Sequence, residues 1–241
     1  MTRERFLTLR AWMVHFYTSL GIIAALLALM AIFKGNIQEM VIFLAVANII
    51  DATDGALARR WNVKRFAASF DGRKLDDIID YINYTFLPVF FCYRFGLVLE
   101  TVGVVILGIV LIFSIYGFCN QSAKTSDGFF TGFPNFWNVL VVYLYLFGFS
   151  PEVNTLILLF FALMIWVPIK YVSFSTIPFR RLTIFMSVVY AVISIIIVIT
   201  FDQVDMRLVW LSLIGPIYYF AISFYLHFKE QRLSALGEIS K

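Results

Sequence analysis

Charge is what this chain has least of. Of its 241 residues only 14% are Asp, Glu, Lys or Arg, against 61% hydrophobic residues and 27 phenylalanines. That balance excludes an ordinary soluble domain and predicts an all-α polytopic membrane protein, a single integral membrane domain over residues 1–241. The net charge of +4 is modest, and no nucleic-acid partner is expected. Cys92 and Cys119 are the only cysteines; they fall near opposite ends of successive apolar runs, which argues for buried thiols rather than a disulfide. His15 and His227 have no matching partner at metal-ligand spacing, so structural roles are expected of both. An internal repeat, a phosphate-binding glycine loop and a nucleophile elbow are all absent from the sequence. The first apolar run is too long for a signal-peptide core and lacks a small-residue cleavage site, so a retained span is expected.

Eight apolar runs are present: Ala11–Phe33, Ile37–Ala58, Leu75–Phe95, Leu97–Cys119, Phe136–Phe149, Val153–Tyr171, Leu182–Phe201 and Leu208–Phe228. Most reach the roughly 20 residues that cross about 30 Å of hydrocarbon; the fifth is short. With a cytoplasmic N-terminus, eight spans leave only Lys34, Arg94 and Arg207 outside, out of 19 Lys and Arg. Basic residues concentrate on the cytoplasmic side of membrane proteins, so this asymmetry predicts about eight transmembrane helices with both termini inside.

The few acids that interrupt the apolar runs are grouped. Asp51 and Asp54 close the second run, while Asp76 and Asp80 open the third. Carboxylates in such segments are costly and mark sites that face a bundle interior and bind something. Asp51, Asp54, Gly55 and Ala58 stand at i, i+3, i+4 and i+7, one helical stripe, and Gly72, Asp76 and Asp80 make a second at steps of four. If the stripes face each other, four carboxylates converge beside a hollow lined by small residues. Cations must then offset their repulsion, and oxygen-only ligands suit Mg²⁺, Mn²⁺ or Ca²⁺. Asp51 lies about 10 Å from the end of its helix, at about 1.5 Å per residue, so the hollow should open at headgroup depth on the cytoplasmic side.

Between the stripes, Arg59–Lys74 carries six basic residues with Trp61, Phe66 and Phe70, the composition of a positive anchor or of a segment lying on an anionic membrane surface. Arg59 continues the Gly55 side of its helix and has the fork geometry to reach a phosphate. The loop Asn120–Asn138, with Gly128, Gly132 and Pro134, is turn-rich and ends in aromatic and amide residues, a re-entry into the membrane or a platform on which Trp137 stacks against a cation. Pro168 and Pro216 are expected to kink their helices.

The stretch Asp51–Asp80 resembles the signature of the CDP-alcohol phosphotransferases, membrane enzymes of phospholipid synthesis. The eight fixed positions of D-x2-D-G-x2-A-R…G-x3-D-x3-D appear here as Asp51, Asp54, Gly55, Ala58, Arg59, Gly72, Asp76 and Asp80. Twelve residues separate Arg59 from Gly72, where the usual gap is eight; the longer gap resembles the bacterial phosphatidylcholine synthase branch. The extra four residues are about one helical turn and preserve the facing of the stripes.

The resemblance implies a phosphotransferase-like helical bundle and transfer of the phosphatidyl group from CDP-diacylglycerol to choline, with CMP released, in the inner membrane of a bacterium. It implies Mn²⁺ or Mg²⁺ held by Asp51, Asp54, Asp76 and Asp80, with Asp80 as the base for the acceptor hydroxyl. It further implies a CDP-lipid site at Gly55, Ala58, Arg59 and Gly72 within a site region spanning residues 48–84, and a homodimer. Asp77, turned about 100° from the stripe, is expected to support rather than ligate. For choline, whose quaternary ammonium donates no ordinary hydrogen bond, aromatic faces and carboxylates must give selectivity, and Asn48, Asn83, Tyr84, Tyr116 and Trp137 are the candidates. Two alternatives stay open: another alcohol acceptor such as serine, inositol or glycerol phosphate, and a cation transporter, against which the missing repeat and the shallow acids both count.

Overall fold

The computed structural model describes residues 2–120, 123, 125, 128–172 and 179–235; Lys124 and Lys241 of the charge asymmetry lie outside them. Helices dominate: α1 Arg3–Lys34, α2 Ile37–Arg60, α3 Val63–Phe66, α4 Gly72–Tyr81, α5 Leu87–Arg94, α6 Val102–Cys119, α7 Trp137–Phe147, α8 Pro151–Met164, α9 Arg180–Ile199, α10 Met206–Ser212 and α11 Ile214–Ala235. Among the described residues five helical stretches are long and apolar enough to cross a membrane: α1, α2, α6, α9 and Met206–Leu233. The protein is therefore an all-α polytopic membrane protein. The third apolar run is helical from Gly72 to Arg94, about 34 Å at about 1.5 Å per residue. The runs that form α7 and α8 are shorter apolar helices. The chain divides into two compact units, residues 1–97 with 137–142, and residues 98–136 with 143–241.

The first unit is built on α1. Its buried face repeats small residues, Ala11, Thr18 and Ala25 in one row and Gly21 and Ala28, after Val14, in the next. Without a hydrophobic force between helices in lipid, such small rows are what permit close packing. Gly35, in the left-handed region at φ 74°, ends α1, and the Asn36 N–H closes back on Ala31 O at 3.0 Å. Asn36 then caps α2, its side chain accepting from the Glu39 N–H at 3.0 Å, so α2 turns back along α1. After α2, Val63 and Ala67 of the α3 segment bury against Ala11 and Val14, with Ala58 and Trp61 packed on the same cluster. Asp71 caps α4 through the Lys74 N–H at 3.0 Å.

Between α4 and α5 the helix widens into a π turn over Ile82–Phe86, where the Leu87 N–H bonds back to Ile82 O. Pro88 gives a physical reason: in an α-helix its ring would collide with the carbonyl four residues earlier, and a wider turn relieves this.

In the second unit, α8 ends at Met164 rather than running on to Tyr171. Lys170–Val172 instead forms a strand, β2, antiparallel to β1 at Phe129–Thr131, with Phe130 opposite Tyr171. This corrects the expectation of a helix kinked at Pro168 and adds a short strand to the turn-rich segment 120–138. Pro168 disfavours helix in the residues before it, so the chain stops short of it. Gly132 seats the ribbon: a Cβ there would lie 2.1 Å from Ile165 O, and its N–H bonds Ile169 O at 2.9 Å. The run that holds Pro216 is interrupted at the single residue Leu213, between α10 and α11, three residues before the proline. Both cysteines are free, Cys92 buried and Cys119 exposed.

Candidate active site

Four elements of the first unit converge on one cleft. It is lined by Thr18 and Gly21 from α1, Ala47, Ile50, Asp51 and Asp54 from α2, Asp76, Ile79 and Asp80 from α4, and Asn83 and Tyr84 from the π turn. The two acidic stripes thus meet as their spacing predicts. Asp51, Asp76 and Asp80, all half-buried, each bring a carboxylate oxygen to within 4.8 Å of the others. Asp54, only 7% exposed, stands beside this triad within hydrogen-bonding reach of Asp76. Negative groups this close repel strongly in a poorly solvated setting unless a cation or a proton intervenes.

Hydroxyl groups hold the α2 pair. Thr18 Oγ1 donates to Asp54 Oδ2 at 2.7 Å, and Tyr84 Oη donates to Asp51 Oδ2 at 2.8 Å. Such bonds fix a ligating carboxylate's orientation. Thr18 belongs to the cleft although no motif in the sequence marks it. Its signal was a polar side chain on the small-residue face of α1, between Val14 and Gly21.

The remaining motif positions fall differently. Gly55 sits under Arg59, whose Nη1 would lie 3.4 Å from a Cβ added there, so the guanidinium borders the acidic end of α2. Ala58 packs on the apolar cluster of Ala11, Val14, Val63 and Ala67. Gly72 lies beneath His15: a Cβ would come within 2.6 Å of His15 Cε1. The His15 ring is in turn held by Phe70 at 4.5 Å and Trp12 at 5.8 Å between centroids. Asp77 is absent from the cleft lining, in keeping with its turn away from the stripe.

Of the aromatic and amide candidates, Asn83 and Tyr84 line the cleft. Asn48 is engaged by Asn138, whose Nδ2 donates to Asn48 Oδ1 at 3.1 Å. Trp137 is 1% exposed, buried in the first unit and so without a free ring face for a cation. Tyr116 belongs to the second unit, 59% exposed, and packs on Trp166 at 5.8 Å.

The model for the CDP-alcohol phosphatidyltransferases matches residues 13–174, which contain the whole cleft. The chain belongs to that family. Its relatives include a phosphatidylcholine synthase of Pseudomonas aeruginosa, 39% identical over 171 residues that make up 71% of this chain and 70% of that protein. Another, from Legionella pneumophila, is 36% identical over 223 residues, 89% of this chain and 88% of the relative. A third, from Borreliella burgdorferi, is 33% identical over 226 residues, 92% and 96% of the two chains. The similarity therefore extends far beyond the acidic motif, through both units.

Proposed function

We propose that this protein transfers the phosphatidyl group of CDP-diacylglycerol to choline, yielding phosphatidylcholine and CMP. One observation carries the reading: the family's aspartates meet in a single cleft, three of them within 4.8 Å of one another. The names of the relatives above support choline as the acceptor. The scarcity of Lys and Arg within the spans favours it too, since serine and glycerol phosphate carry anionic groups that a buried cation would bind.

The donor set fits a hard divalent cation. Only oxygens converge there, and the Thr18 and Tyr84 hydroxyl protons are already given to Asp54 and Asp51. Asp51, Asp76 and Asp80, with Asp54 beside them, would hold Mn²⁺ or Mg²⁺, which supplies charge compensation to a diphosphate and to its leaving oxygen. Among the described residues no hydroxyl or amide donates to Asp80, so its carboxylate is the one available to accept the choline hydroxyl proton. The oxygen so released bonds the phosphorus next to diacylglycerol, and the bond to CMP breaks. Thr18 and Tyr84 keep Asp54 and Asp51 oriented, and Arg59 borders the same end with a fork of donors suited to phosphate.

The reading places the protein in a bacterial inner membrane, with both termini and the cleft cytoplasmic, on the asymmetry of Lys and Arg. It includes a homodimer, on family resemblance. The test is CMP release by purified protein with CDP-diacylglycerol, Mn²⁺ or Mg²⁺, and a panel of alcohols. Choline is expected to give the fastest release. Serine or inositol outpacing it would overturn the acceptor, and no release with any alcohol would overturn the activity.

A further inference from the structure

Asn83 sits three residues after Asp80, on the same stripe and one turn further along. Its amide is fixed by the backbone: Nδ2 donates to Gly21 O at 3.2 Å and to Ile79 O at 3.1 Å. With the nitrogen pinned between two carbonyl oxygens, the carboxamide cannot turn over without setting its own oxygen against both. Gly21 makes this clamp possible by close approach; a Cβ there would lie 2.7 Å from Ile79 Cγ2.

The clamp leaves Oδ1 with no hydrogen-bond partner among the described residues, although Asn83 is only 2% exposed and lines the acidic cleft. A buried acceptor without a donor is costly and calls for an explanation. No hydroxyl or amide of the cleft donates to it. Its other polar groups are carboxylates, and the two neighbouring hydroxyls are committed to Asp54 and Asp51.

We infer that Asn83 Oδ1 is a neutral oxygen ligand to the divalent cation of this cleft, beside the carboxylates of Asp51, Asp76 and Asp80. Hard cations accept amide carbonyls together with carboxylates. A quaternary ammonium has no proton to give and would leave the oxygen unsatisfied. The inference rests on the metal-dependent reading above.

The test is Mn²⁺ binding to the full-length protein in lipid nanodiscs, without lipid substrate, followed by electron paramagnetic resonance. Asn83→Leu, close in size, is expected to bind about 10–100-fold more weakly. Asn83→Asp, which restores an oxygen but loses the clamp, is expected to bind more tightly than Asn83→Leu. Wild-type protein carrying ¹³Cγ-asparagine should show a ¹³C coupling to bound Mn²⁺, a readout that needs no variant to fold. Unchanged affinity in Asn83→Leu, equal weakening in both variants, or no ¹³C coupling would each overturn the inference while leaving the proposed function standing. Wild-type protein that releases CMP yet binds no Mn²⁺ would overturn the inference together with the metal role.

Discussion

The two acidic stripes face one cleft and are held in different ways. On α2, both carboxylates are restrained from outside their own helix, Asp54 by Thr18 of α1 and Asp51 by Tyr84 of the π turn. On α4, Asp80 has neither kind of restraint among the described residues, and Asp76 leans on Asp54. A carboxylate that only holds an ion gains from being fixed, since its geometry must not change. One that also moves a proton must keep an oxygen free for the substrate. We propose on this contrast that α2 holds the ion and Asp80 moves the proton, a division that can be broken at either end.

The largest effect is expected at the free carboxylate and at the ion. Asp80→Asn should lower choline-dependent CMP release by on the order of 10²–10⁴-fold, with helicity and thermal unfolding unchanged. Excess chelator should abolish release in the wild type, and added Mn²⁺ or Mg²⁺ should restore it. Full activity in chelator would falsify the metal role, and an active Asp80→Asn would move the base elsewhere.

A smaller loss is expected where carboxylates are merely oriented. Thr18→Val and Tyr84→Phe each remove one donor while nearly keeping shape, and each should cost about 10–100-fold in Mn²⁺ affinity or activity. Raising Mn²⁺ should recover much of that loss, which it cannot do for Asp80→Asn. If both hydroxyl variants behaved like Asp80→Asn at saturating Mn²⁺, the division of roles would collapse.

How much of this was legible in the sequence follows from the range of the forces involved. The motif acids could be placed because i, i+3 and i+4 spacing fixes a helical face, and the apolar runs because membrane spans leave long, plain signals. Thr18 pairs with Asp54 across 36 residues, and nothing local announces that bond. The π turn left only Pro88 as a trace, and periodicity cannot separate a bulge from an unbroken helix over five residues. The strand pair has three residues on each side and exists through tertiary contact, so an apolar run ending at Tyr171 read as helix. Gly72 was expected to make room for the nucleotide, and the side chain above it proved to be His15, 57 positions earlier in the chain.

Gly72 gives the finest test, because two explanations of one glycine differ in the coupling they predict. If the missing Cβ serves the contact with His15, Gly72→Ala forces the ring out of its place between Trp12 and Phe70, an overpacking cost of about 1–3 kcal/mol. Removing the ring should then relieve the strain: His15→Ala combined with Gly72→Ala should be more stable than the sum of the single variants, by a coupling of about 0.5–3 kcal/mol. Thermal unfolding of the four proteins in nanodiscs measures that coupling. If the glycine instead leaves space for cytidine, the two substitutions should add in stability, and Gly72→Ala should raise KM for CDP-diacylglycerol whether or not residue 15 is histidine. A positive coupling with a KM that recovers in the double variant assigns Gly72 to the packing of α1 on α4, and leaves the α2 end, with Gly55 and Arg59, to meet the nucleotide.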